Sequence, residues 1–253
     1  MALSSNSLLH FTKDFNSLKG ILSQTFKVKY CREKIITKEK GIDILVPMVS
    51  FCDIPFSQVL THVKSYKSYG IGLSKAWALK KGLTPVLYIE KQSSFGSTFF
   101  DSLFEKIQDE QSGIKKMGLN SKQLLDIVRY VKNYQGDLDR NVKKIKKNYR
   151  YSDEREWRYV LPPSHSCQFI GNCNSFGNNH KTIGILKENL NSTIAQEYLG
   201  FAPEDISYII IRSEKERDKT IKAIRNIKDV HGQLLVSRIA SRIISVEQIK
   251  GDY

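Results

Sequence analysis

Apolar residues come in short bursts along this chain, and the spacing within the bursts changes from one to the next. Residues 8–12, Leu-Leu-His-Phe-Thr, predict a short opening strand. Leu18, Ile21 and Leu22 follow Asp14 at helical spacing, and the Asp14 side chain can cap that helix. Ile44–Phe51 is an apolar run of strand length that Pro55 ends, and residues 57–66 predict a second helix. The stretch Ser68-Tyr69-Gly70-Ile71-Gly72-Leu73-Ser74 is too rich in glycine for a helix and predicts a turn entering a strand, with a further strand at 85–89. Residues 99–111 and 121–135 then show helical periodicity, through Phe100, Leu103, Phe104 and Ile107 and through Leu124, Leu125, Ile127 and Val128. A strand starts near Glu154 and stops at Pro162-Pro163. The last third predicts a strand at 207–212, a helix at 214–228 and short strands near 233–237 and 242–246. This irregular alternation, without a long βαβ series, predicts an α+β fold. The expected organisation is one domain over 1–253 with a helical insertion at about 97–150.

Composition narrows the class. A hydrophobic fraction of 40% excludes a disordered chain, and 253 residues can bury a core without disulfides or metals. No apolar run approaches the ~20 residues of a membrane span, and the first fifteen residues carry no cleavage pattern, so a cytoplasmic protein is expected. Forty Lys and Arg against twenty-six Asp and Glu give a net charge of +14, which concentrates polyanions and favours nucleic acid as substrate or partner. The densest run holds Arg140, Lys143, Lys144, Lys146, Lys147 and Arg150, with Tyr149 and Tyr151 interleaved. It reads either as a solvated helix end or as a nucleic-acid surface. His165, Cys167, Cys173 and His180 lie close together but match no common zinc spacing, so no metal is assigned.

Three segments place polar groups where a core strand should be apolar. His10 and Thr12 share one strand face and can hydrogen-bond a ribose or an amide, or be plainly satisfied core and surface residues. Gly72 and its neighbour Gly70, between Tyr69 and Ser74, permit a flat ligand close to the backbone, or simply a tight turn. Alternation in Asp153-Glu154-Arg155-Glu156-Trp157-Arg158-Tyr159-Val160 puts Glu154, Glu156 and Arg158 on one face. Two carboxylates there suit paired roles, while Arg158 beside them could equally make a structural salt bridge.

Together these segments resemble ADP-ribosyltransferases, in which a strand with His-Phe-Thr, a Gly-x-Gly element and a late Glu-x-Glu build a split α+β core, with a mixed or antiparallel sheet, around NAD. The resemblance implies NAD as co-substrate, held by His10, Thr12, Tyr69, Gly72 and Ser74. It implies Glu156 as the carboxylate that stabilises the oxocarbenium-like sugar, with Glu154 orienting the acceptor. Ser74 departs from the histidine-led branch, which has tyrosine at that position. The opening Leu-Leu-His-Phe-Thr, Ser50-Phe51-Cys52-Asp53-Ile54-Pro55-Phe56-Ser57, the 69–77 stretch and Asp153–Val160 also look, in that order, like AbiGi-type abortive-infection proteins of phage defence.

Two functions follow. The leading expectation is a phage-defence toxin that transfers ADP-ribose from NAD to RNA or single-stranded DNA, bound by Lys143, Lys144, Lys146, Lys147, Tyr149 and Arg150. A cognate antitoxin, and possibly a chaperone, would restrain it. The alternative is a non-catalytic AbiGi-type antitoxin that binds and neutralises a partner toxin. The two differ over whether Glu156 is needed for chemistry.

Overall fold

The computed structural model describes residues 5–38, 40–60, 63, 68–111, 120–138, 146–162, 168–172, 180–227 and 232–252. In chain order its strands are β1 (Ser7–Thr12), β2 (Phe26–Lys27), β3 (Lys29–Ile36), β4 (Gly41–Cys52), β5 (Tyr69–Ser74), β6 (Thr84–Pro85), β7 (Leu87–Ile89), β8 (Val131–Asn133), β9 (Gln135–Leu138), β10 (Lys146–Arg150), β11 (Glu156–Val160), β12 (Gln168–Asn172), β13 (Tyr198–Leu199), β14 (Ile206–Ile211) and β15 (Ile243–Ser245). Its α-helices are α1 (Phe15–Gln24), α2 (Lys75–Lys80), α3 (Ser94–Gln111), α4 (Ser121–Val128), α5 (His180–Thr193), α6 (Arg217–Ile224), α7 (Gln233–Ala240) and α8 (Val246–Asp252). Most pairings are antiparallel, and β14–β15 and β7–β8 are parallel, so the α+β class holds with sheets of mixed direction. No helix among the described residues is long and apolar enough to cross a membrane.

The chain packs as two compact units where one domain is expected from sequence. The first comprises residues 1–28, 49–83 and 196–253, the second 29–48 and 84–195. Strand β4 contributes its first eight residues to the second unit and its last four to the first.

In the first unit the strand order is β15-β14-β5-β1, followed by the end of β4, where Leu9 faces Cys52. The stretch expected to turn before a strand is strand from Tyr69 to Ser74, and it has a neighbour on each side. Its glycines explain how. A Cβ on Gly72 would lie 2.9 Å from the Leu9 side chain and 3.1 Å from that of Tyr208, so glycine lets two large residues close over β5 from both neighbours. Leu9, Cys52, Ile54, Val59, Ile210, Val246 and Ile249 form the core on that side. Helix α1 is capped as its sequence predicts, with the Ser17 N–H donating to Asp14 over 2.8 Å.

In the second unit β3 pairs with β4 from Lys29↔Met48 to Ile36↔Gly41, and β12 pairs with the other edge of β4. Residues 41–49 of β4 are all buried, which accounts for an apolar run without alternation. Pro47 is tolerated in this inner strand for a local reason. The Tyr30 N–H opposite it points outward to Asn191, so Pro47 is not asked to donate towards β3. On its other side only its carbonyl is used, by the Leu161 N–H at 3.1 Å. Ile35, Ile42, Ile44, Val46 and Met48 pack against Phe100 and Leu103 of α3 and Leu124 and Val128 of α4.

Several elements differ from expectation. Helix α3 covers the helix predicted over 99–111, whereas the one predicted over 121–135 is helix only as far as Val128, after which Val131–Asn133 pair with β7. The basic run ends in strand β10 rather than a helix. Residues 233–240 are helix α7 instead of a strand, entered through Gly232 at a φ of 86°, with Val236 and Ile239 buried on one face. Strand β3 and helix α5 were not anticipated.

Candidate functional site

The second unit contains a buried charge cluster on β11 and the elements that face it. Strand β11 begins at Glu156, after Arg155 takes a left-handed conformation at a φ of 43°. That turn leaves Glu154, Glu156 and Arg158 on the same buried side, as alternation predicts. Arg158 has no exposed surface at all. Its Nε donates to Glu156 over 2.7 Å, its Nη1 to the Arg129 carbonyl over 2.8 Å, and its Nη2 lies 3.0 Å from Glu33 on β3. The other Glu156 oxygen accepts from Lys132 Nζ of β8 at 2.5 Å, and the same ammonium lies 3.4 Å from Glu154. The Glu156 backbone N–H donates to the Tyr88 hydroxyl at 2.8 Å, and Lys132 stands 5.1 Å from the centre of the Tyr151 ring.

The electrostatics separate the two carboxyls on β11. Burial pushes Glu154 up to about 9, helped by the negative charges of Glu156 and Glu33 and opposed by Arg158. Burial acts on Glu156 in the same direction, but the Arg158 and Lys132 cations outweigh it and hold this carboxyl below its ordinary range. For Arg158 burial works against the charge, and Glu156 and Glu33 more than compensate, so its pKa is raised. The charge count agrees. With Glu154 protonated, Glu33 and Glu156 balance Lys132 and Arg158, whereas a third carboxylate would leave an uncompensated buried charge. Sequence reading missed Glu33, Tyr88 and Lys132. Nothing local marks them, since each has its partner elsewhere in the chain.

The residues expected from the resemblance to hold NAD lie in the first unit. His10, opposite Ile71 on β5, is half-buried between Phe26 and Phe51, with ring centres at 5.1 and 5.5 Å. Its Nδ1 lies 2.8 Å from the Ser50 carbonyl, which can only accept, so Nδ1 carries the proton. Burial lowers its pKa, partly offset by that bond. Tyr69, opposite Thr12, donates its hydroxyl to Glu216 at 2.8 Å. Burial and that bond push it up to about 12. Gly72 is covered as described, and Ser74 caps α2 by accepting from the Trp77 N–H at 3.2 Å. Asp53 and Lys75 were also missed as a pair. They meet at 2.7 Å, and Asp53 takes the Ser5 N–H as well, fastening together two of the segments on which the resemblance rests.

Of the basic run, Lys143 and Lys144 lie outside the described residues, as does the side chain of Lys146. Lys147 is exposed and pairs with Asp137 at 2.6 Å, and Arg150 lies 3.9 Å from Asp153. Tyr149 is buried edge-on against Tyr151, at 5.4 Å. His165, Cys167 and Cys173 lie outside the described residues too, and His180 opens α5. Among the described residues no group of His, Cys, Asp and Glu could hold a metal.

A family model described as "Putative abortive phage resistance protein AbiGi, antitoxin" matches residues 24–212, well over half of the sequence. The chain belongs to the AbiGi family. An "Abortive phage resistance protein AbiGi" from Lactococcus lactis subsp. cremoris is 26% identical over 235 residues, covering 82% of this chain and 89% of that protein. No solved structure matches the chain. The AbiGi match contains the whole charge cluster from Glu33 to Arg158 and strand β5, while His10 and Thr12 lie before it.

Proposed function

We propose that this AbiGi-family chain acts in abortive phage defence as the antitoxin of a pair, neutralising a cognate toxin by binding it. The state of Glu156 carries this reading. A carboxylate that stabilises a developing sugar cation must present an oxygen to it. Here Lys132 and Arg158 take both Glu156 oxygens inside the unit, as a structural ion pair does. The cover over Gly72 supports the same reading, since the Leu9 and Tyr208 side chains stand where a flat NAD ring would approach the backbone. The family description, which includes the word antitoxin, points the same way.

One observation favours the second reading, a transferase using NAD. Glu154 and Glu156 are pushed apart in pKa, the pattern of a paired acid and base. Expression of the chain alone, with labelled NAD supplied to the purified protein and pools of RNA, single-stranded DNA, duplex DNA and lysate protein, separates the two. The antitoxin reading expects no growth arrest, no transferred label, and a stoichiometric protein partner captured from the native host. Arrest and label transfer that vanish in a folded Glu156→Gln variant would overturn it.

A further inference from the structure

Three large apolar side chains leave the second unit close to one another. Ile36 at the end of β3 is 44% exposed, Phe95 in the first turn of α3 56%, and Tyr134 just after β8 38%. Their backbones are tied together by the residues beneath them. The Ile36 N–H donates to the Asn133 side-chain oxygen at 2.8 Å, and the Asn133 amide donates back to the Ile36 carbonyl at 2.7 Å. Asn133 lies opposite Ile89 on β7, whose carbonyl accepts the Tyr134 N–H at 2.7 Å. Helix α3 starts against the same residues, since a Cβ on Gly96 would lie 3.5 Å from the Thr37 side chain and 3.6 Å from that of Ile89. Exposed apolar residues scattered singly need no explanation, but three held on one hydrogen-bonded scaffold do.

We propose that Ile36, Phe95 and Tyr134 form the surface on which the cognate toxin docks, and that this toxin is an acidic protein; the assignment rests on the antitoxin reading. Nearby charges select a protein over a nucleic acid. Lys40 is paired with Asp101 of α3, and Lys147 with Asp137 beyond Tyr134, so the surface has apolar anchors and little spare charge for phosphates. Only Lys38 and Lys91, both exposed, stand beside it without an ion pair among the described residues. The whole chain sets the sign of the partner. A second copy would bring a net charge of +14 against +14, whereas an acidic partner is drawn in by the same field. The mode of docking follows from Asn133. It takes both backbone polar groups of Ile36, which closes this end of β3 to strand addition, so the partner must grip side chains. All three residues lie within the AbiGi match, as a surface shared by the family would.

The test starts from the full chain as bait in an extract of the native host. A captured protein is identified by mass spectrometry, purified, and expressed alone to establish that it arrests growth and that the chain relieves the arrest. Calorimetry then compares its binding to the wild type and to variants. Phe95→Ser/Tyr134→Ser is expected to weaken binding ~100-fold or more and to abolish relief of the arrest. Ile185→Ser and Leu234→Ser, at exposed apolar positions on α5 and α7, are expected to bind as the wild type does. Should the double variant's circular dichroism differ from the wild type's, Ile36→Lys, which keeps both rings, is expected to show the same loss. Lys38→Glu/Lys91→Glu is expected to slow association several-fold at low salt and to leave dissociation nearly unchanged. Wild-type affinity in the folded double variant, an equal loss in both controls, or a basic toxin would overturn the docking surface and leave the antitoxin reading standing. A dimer of the chain in sedimentation that the double variant dissociates would give the surface to a second copy and overturn it as well. Capture of no growth-arresting protein would overturn the antitoxin reading itself, and the docking surface with it.

Discussion

The two units treat polar side chains in opposite ways. In the first, His10, Tyr69 and Ser74 each answer one local need, a carbonyl, a carboxylate and a helix end, and Asp53 answers two, a lysine and a backbone N–H. Each of these residues can be understood from two or three contacts. In the second, Glu33, Glu154, Glu156, Lys132 and Arg158 are understood only as a set, because each is ion-paired with at least one other member. Polar residues on a core strand therefore do not by themselves mark chemistry. Their number of mutual partners separates a cap or clamp from a coupled cluster.

The largest way to sharpen that comparison is to remove the hub. Arg158→Met keeps the bulk but leaves Glu156 and Glu33 buried without their shared cation, and should cost ~3–5 kcal/mol in urea unfolding. Lys75→Met in the first unit removes a partly exposed lysine and leaves the buried Asp53 its Ser5 N–H, and should cost only ~1–3 kcal/mol. Equal losses would mean that the cluster is no more cooperative than the clamp.

A smaller effect is expected from Gly72→Ala. The added methyl meets Leu9 at 2.9 Å and Tyr208 at 3.1 Å, and strand β5 is held on both sides, so the strain cannot be relieved by moving an edge. A loss of ~1–3 kcal/mol is expected, read as a lower melting temperature. A neutral Gly72→Ala would imply that Tyr208, which is 37% exposed, swings out at little cost.

The sequence made the local elements of both units legible and left the long-range pairings unread, for physical reasons. Strand β1, helix α1 and the Asp14 cap are local patterns, readable within ten residues. The face shared by Glu154, Glu156 and Arg158 also followed from alternation. Strand β3 did not, because its two faces carry Arg32 and Glu33, whose burial is made possible by Asp43 and Arg158 elsewhere in the chain. Helix α5 does carry a local signal, Ile183, Leu186, Leu190 and Ile194 at helical spacing. Tyr149 and Tyr151 looked like stacking platforms because interleaving with lysines carries no information about which way a ring points.

The last effect, read as a dependence on pH, tests the cluster's protonation. Glu154 has a folded pKa raised to about 9, from the usual carboxylate value, so between those limits the folded state holds a proton that the unfolded chain releases. The stability that this proton contributes is complete below the unfolded pKa. It falls as pH rises, by ~1.4 kcal/mol per unit at most, until the folded pKa is passed. Glu156 carries the opposite sign, because its folded pKa is lowered. Its contribution is present at neutral pH and is lost only as pH falls below the usual carboxylate range. Glu154→Gln imitates the protonated form without titrating. Its unfolding free energy should lie close to the wild type's near pH 5 and exceed it by a margin that widens steadily to pH 8, measured in parallel urea titrations. A wild type and variant whose pH profiles run parallel from 5 to 8 would place a full negative charge on Glu154. The cluster would then carry three carboxylates on two cations, and the contrast between a balanced buried set and a series of local contacts would no longer hold.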